Sequence, residues 1–214
     1  MSFGYRDVPI EDTTKDTLGI GDYADSLSKF ILNCDSPMTI AIQGDWGSGK
    51  TSMMNLIRER IKKSVISVWF NTWQYSQFDM GSYLSISLIT SLLDEIKPEK
   101  NIAVSLKKIL GVAVKGAMTF AIEKTAGETI AGQFADTSSV TDLTSELKDL
   151  KSKIEEAIQW KLDKEKADRI VIFVDDLDRL PPERAIEVLE VMKTFLDIPG
   201  CIFVLAVDYS IVIQ

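Results

Sequence analysis

Three observations predict an α/β fold: three layers around a mainly parallel sheet, with a helical insertion between the second and third strands. Four short apolar runs, 38–43, 65–70, 170–174 and 201–207, are separated by stretches with helical periodicity. Each run is close to continuous in apolar residues, the pattern of strands covered on both faces. The chain has 214 residues, 45% hydrophobic and 26% charged, enough for a sizeable core. That composition excludes collagen-like, low-complexity and wholly disordered classes.

The elements follow in chain order. Residues 1–17 are expected to form a polar, acidic N-terminal arm, and 18–214 the domain, with the insertion at about 98–168. Asp22–Leu32 places Tyr23, Leu27, Phe30 and Ile31 at helical spacing, with Asp22 as a candidate cap. Met38–Gln43 reads as a buried strand ending at a glycine. Thr51–Lys63 reads as a helix, with Met53, Met54, Ile57 and Ile61 on one face. Val65–Phe70 is β-branched and aromatic, a second strand. Tyr83–Ile96 is expected to be a helix stopped near Pro98. Val140–Lys166 carries Leu143, Leu147, Leu150, Ile154 and Ile158 at spacings of three and four on a charge-balanced helix. Ile170–Val174 is the third strand. A helix starting at Pro181–Pro182 then turns Ile186, Leu189, Met192 and Phe195 inward. Cys201–Val207 is the fourth strand.

Composition narrows the chemistry. The chain has no histidine, so Ser-His-Asp and Cys-His catalysis and any His-bearing metal site are excluded. Two cysteines, Cys34 and Cys201, make no disulfide framework and read as inert small hydrophobes. The net charge is −8, and no segment is strongly basic, so no nucleic-acid partner is implied. The Arg58–Lys63 cluster reads as a helix C-terminus favoured by its dipole. The N-terminus lacks the apolar core of a secretory signal.

Gly44-Asp45-Trp46-Gly47-Ser48-Gly49-Lys50-Thr51 matches the spacing G-x-x-x-x-G-K-[ST] between a strand and a helix. A triphosphate concentrates negative charge, and backbone N–H groups must converge on it without side chains in the way. Three glycines permit that loop, and the following helix turns its positive end toward the phosphates. The expected nucleotide-holding set is Gly44, Asp45, Trp46, Gly47, Ser48, Gly49, Lys50, Thr51 and Ser52. Lys50 would reach the β- and γ-phosphates, and the Thr51 hydroxyl would ligate Mg²⁺. Ile170–Asp176 is an apolar strand delivering two acids at its end. Asp175 would hold Mg²⁺ through its waters, and Asp176 would polarise the attacking water. Catalysis is therefore expected from Asp176 and Lys50, with ATP and Mg²⁺ as ligands. The adjacent second acid marks the branch of P-loop NTPases with an additional strand between the P-loop and acid-bearing strands.

GDWGSGKTS, then WFNTWQY after the second strand, VIFVDDLDRLPPE and FVLAVD closely resemble the KAP P-loop NTPases. That family takes its name from an ankyrin-repeat membrane scaffold and a phage-exclusion protein. The resemblance covers about Leu18 to Val212. It implies an ATPase of the additional-strand class, often acting at membranes, with bacterial relatives linked to phage or plasmid defence. ATP rather than GTP follows from it, there being no N-K-x-D guanine reader. Asp178 and Arg179 match the family's extended acid motif. The resemblance implies that Arg179 contacts a neighbouring subunit or the phosphate; a salt bridge to Asp176 or Asp178 is the plainer reading. Related NTPases place a segment like Leu18–Gly21 against the adenine, though a loop before a helix is the expected reading here, and the resemblance makes Asp208 a candidate γ-phosphate sensor. Trp69, Asn71 and Trp73 read as core and strand-end packing.

Relatives of this kind are longer, with a fifth strand and a C-terminal arginine. This chain is therefore expected to be most of a domain, or one whose sheet a partner completes. Many relatives also carry membrane-spanning helices in the insertion. Here the matching stretch, 102–122, is broken by Lys107, Lys108 and Lys115, so a packed or partner-facing amphipathic helix is expected before a membrane-surface one. The expected location is cytoplasmic, with peripheral contact at the inner membrane face. The expected partners are ATP and a protein or second copy. Two other functions compete: a nucleotide-dependent switch or scaffold without turnover, and a membrane-docking adaptor working through 102–122.

Overall fold

The computed structural model describes residues 8–76, 84–110, 137–195 and 197–208. Strands β1 (Met38–Gln43), β2 (Ile66–Asn71), β3 (Ile170–Asp175) and β4 (Cys201–Val207) form one parallel sheet in the order β1-β4-β3-β2. The additional strand is β4, which lies between β1 and β3.

Alternation along β3 and β4 divides the core into two layers. Ile170, Ile172, Val174, Cys201, Phe203 and Leu205 face one side, while Val171, Phe173, Ile202, Val204 and Ala206 face the other. The second side is covered by α1 (Gly21–Asn33) and α2 (Lys50–Ile61), which bury Ala24, Ile31, Met54, Leu56, Ile57 and Ile61. The first is covered by α4 (Leu84–Ile96), α5 (100–110), α6 (Thr137–Glu165) and α7 (Pro182–Phe195). Leu92, Ile96, Leu106, Ile154 and Ile158 are at most 1% exposed there, each contributing about 1.5–3 kcal/mol by leaving water. A short α3 (Thr72–Ser76) follows β2 directly.

Three expectations are corrected. β1 is not covered on both faces: Met38, Ile40 and Ile42 pack toward α1 and α2, but Thr39, Ala41 and Gln43 are exposed. Its sequence alternates, and Ala41 is small enough to disguise the outward face as apolar. Asp22 does not cap α1; Asp16 does, its carboxylate accepting from the N–H groups of Ile20 at 3.2 Å and Gly21 at 2.8 Å. Burial pushes the Asp16 carboxyl up, but the N–H groups of Gly21, Ile20 and Leu18 together outweigh it and hold the carboxyl below the usual range. Tyr23 and Phe30, the outer members of the α1 stripe, are exposed, as is Ile186, 48% exposed on the outer side of α7. The expectation of a packed helix in the stretch 102–122 holds for its described part. Ile102, Leu106 and Leu110 are buried in the core, so the described part of 102–122 is a packed helix; 111–122 lies outside the described residues, as do the side chains of Leu143, Leu147 and Phe195. Among the described residues, no helix is long and apolar enough to cross a membrane.

The described part of the N-terminal arm lies along α2. Ile10 donates its N–H to Ser52 Oγ at 3.2 Å, and Asn55 donates to the Ile10 carbonyl at 3.1 Å. Cys201 is buried, its thiol pushed up to about 12 by burial, which keeps it unreactive.

Candidate functional site

The site lies where the sheet's C-terminal edge meets the start of α2. Gly44 leaves β1 with its N–H donated to the Val207 carbonyl at 3.2 Å, so the loop is moored to β4. Gly47 and Gly49 sit at φ +80° and +91°, a region L side chains enter at a cost. Gly44 is required for a different reason: a Cβ there would lie 2.4 Å from Ser48 Oγ. Asp45, Trp46, Gly47 and Ser48 are exposed, Trp46 by 80%. Ser52 is one turn into α2 and is bonded to Ile10. Leu18 is 80% exposed, on the loop that Asp16 folds before α1.

Lys50 is the first residue of α2, and its side chain is 10% exposed. Its ammonium donates to the carbonyls of Gly44 at 2.7 Å and Asp45 at 3.1 Å, and it pairs with Asp178 at 3.0 Å. Thr51 donates its hydroxyl to Asp175 Oδ1 at 3.2 Å. That contact brings the P-loop helix and the end of β3 together across 124 residues of chain.

The two acids at the end of β3 are turned apart by the backbone. Asp175 ends the strand, 3% exposed; Asp176 adopts φ 59°, ψ 26°, the left-handed region. Burial raises the Asp175 carboxyl above 3.8, and the neighbouring Asp176 charge adds to it; the Asp176 N–H, the Thr51 hydroxyl and Arg179 oppose the shift. Asp176 is held by Asn71 Nδ2 at 2.8 Å on one oxygen and by Arg179 Nε at 2.7 Å on the other. Arg179 thus makes the salt bridge that was its plainer reading. Thr72 donates its hydroxyl to the Asp175 carbonyl at 3.0 Å and is fully buried. Asp208 follows β4 and is 8% exposed.

The three acids that follow β3's apolar run therefore each have a partner: Thr51 for Asp175, Asn71 and Arg179 for Asp176, Lys50 for Asp178. Sequence reading missed Asn71 and Thr72 as site residues. Their signal is a polar pair at the C-terminal end of a strand, and it becomes informative only once β2 is known to neighbour β3, with Asn71 opposite Asp175. Trp69 is a packing residue, stacked on Phe173 at 5.5 Å between centroids. Trp73 instead lies under the Arg179 guanidinium, 5.8 Å from it. The basic cluster at the C-terminal end of α2 is used locally: Arg60 bonds Asp25 and the Gly21 carbonyl, Lys62 bonds Glu59, and Arg58 lies over Trp69.

The phage T7 exclusion protein of Escherichia coli (strain K12) is 26% identical to this chain over an alignment 233 positions long, gaps included, that covers 96% of this chain. The chain spans 31% of that relative's length. The family model of the KAP family P-loop domain matches residues 21–214. With the phosphate-loop geometry and the β4 insertion, that match over most of its length means that the chain belongs to the KAP family of P-loop NTPase domains.

Proposed function

We propose that this domain binds Mg-ATP and hydrolyses it to ADP and phosphate. The observation that carries the reading is the 3.2 Å contact between the Thr51 hydroxyl and the Asp175 carboxylate. It joins two hard oxygen ligands at the positive end of α2, the donor set that suits Mg²⁺. The raised pKa of Asp175 fits the same group, because a buried carboxylate beside a second one is relieved by a cation. When bound, Mg²⁺ would neutralise charge on the β- and γ-phosphate oxygens.

The chain's own residues supply the rest. The loop from Gly44 to Gly49 offers the phosphates its remaining N–H groups, those of Gly44 and Ser48 being bonded to the Val207 and Asp45 carbonyls. Lys50 gives up the Gly44 and Asp45 carbonyls for phosphate oxygens and keeps Asp178 as its counter-charge, so no buried carboxylate is stranded. Asp176 orients the attacking water and receives its proton. The E. coli relative's name supports placing this activity in phage exclusion. ATP and a protein partner or second copy are the partners we assign.

Asp176→Asn tests the reading. Mg-ATP affinity by calorimetry should be kept and phosphate release lost. Turnover unchanged in that variant removes Asp176 from the mechanism. A wild type that binds ATP but releases no phosphate at any concentration establishes a switch instead.

A further inference from the structure

Three consecutive residues leaving β2 each hold one element of the acid motif. Asn71 donates to Asp176 Oδ2 at 2.8 Å, Thr72 donates to the Asp175 carbonyl at 3.0 Å, and Trp73 supports Arg179, whose Nε pairs with Asp176 Oδ1 at 2.7 Å. We propose that the Asn71–Trp73 segment is a positioning element that aims the Asp176 carboxylate and ties its orientation to α3. The inference rests on the hydrolytic reading above and names how that site is regulated.

The Asn71 amide uses both ends. Its Oδ1 accepts from the Gln74 N–H at 3.2 Å, capping α3, while its Nδ2 donates to Asp176. Only one orientation of the amide satisfies both neighbours, since one is a donor and the other an acceptor. The carboxylate thus has a fixed donor on each oxygen, and each oxygen keeps a lone pair for water. Asp176 itself is 15% exposed on the side chain and sits on a left-handed backbone, so these two donors define its direction. Trp73 belongs to the same five-residue helix, so a displacement of α3 reaches both carboxylate oxygens at once. Asn71 and Trp73 act on Asp176 and Arg179, whereas Lys50 bonds the loop carbonyls and Asp178, and Thr51 bonds Asp175; Thr72, which holds the Asp175 carbonyl, is therefore left out of the test that separates aiming of the acid from nucleotide affinity.

Asn71→Asp isolates the role, because it keeps the acceptor that caps α3 and replaces the donor facing Asp176 with an oxygen. The whole protein carrying it should show kcat for phosphate release lowered by about tenfold or more, with the Mg-ATP dissociation constant within about twofold of wild type. Trp73→Ala should lower kcat in the same direction with affinity kept; Trp73 is 37% exposed, so this variant carries the test if Asn71→Asp does not fold. Unchanged kcat in these variants, while Asp176→Asn abolishes turnover, overturns the positioning role and leaves the hydrolytic reading standing. Joint loss of binding and turnover makes the segment merely structural and also overturns it. Turnover surviving in Asp176→Asn brings down both.

Discussion

Replacing Lys50 with methionine removes the ammonium and keeps the length of the side chain. If the loop holds phosphate, Mg-ATP binding disappears from a calorimetric titration. The structure adds a second effect. Lys50 and Asp178 pair at 3.0 Å with side chains 10% and 6% exposed, so the variant strands a buried carboxylate. Removing one partner of a buried pair costs about 3–5 kcal/mol, a large share of the roughly 5–15 kcal/mol that holds a typical domain together. At about 2–4 °C per kcal/mol for a chain of this size, the melting temperature should fall by about 6–20 °C. The double variant Lys50→Met with Asp178→Asn has no stranded charge. It should recover most of that loss, yet still not bind Mg-ATP. Thermal unfolding by circular dichroism in nucleotide-free buffer, beside the titration, reads both effects. Intact Mg-ATP binding in Lys50→Met refutes the phosphate-loop assignment. A melting temperature within about 2 °C of wild type, or no recovery in the double variant, refutes the buried-pair account.

Two further outcomes follow from the same geometry. The raised pKa of Asp175 means that folding favours its protonated form. Its contribution is therefore most favourable below about pH 3.8, is lost as pH rises through the folded value, and is a full penalty at neutral pH. Asp175→Asn should accordingly melt higher than wild type at pH 7 without Mg²⁺, with the gap closing toward pH 4, and Mg²⁺ should no longer stabilise it with ATP; a variant that melts lower at pH 7 contradicts the burial argument. Gly44→Ala should weaken ATP binding by about tenfold, or roughly 1.4 kcal/mol, and adding Ser48→Gly should restore part of it, because the new methyl group meets Ser48; no recovery would mean that the loss has another origin.

The strands, the glycine loop and the paired acids were legible because each is written in contiguous residues. Ile170–Val174 is apolar at every position, and the structure buries every one of them. What escaped depends on neighbours in space. Asn71 becomes part of the site only through the pairing of β2 with β3, and Asp178 meets Lys50 only through the turn after β3. The α1 cap was misplaced because the helix begins at Gly21, one residue before Asp22, and Asp16 reaches it by folding a loop back. The open face of β1 was written in its alternation and lost by counting Ala41 as core. Ile186 lay on the predicted stripe, but α7 is rolled so that Ala185, Val188 and Met192 fill the interior.

The strand that ends in the phosphate loop and the strand that ends in the acids are not neighbours. With β4 between them, they stand two sheet spacings apart, about 9–10 Å. Thr51 and Asp175 close that span from above, while Gly44 fastens to Val207 below. The arrangement is an arch with β4 as its floor. The opening between the two ligands is therefore set by the width of one intervening strand, whose end is itself bonded to the loop.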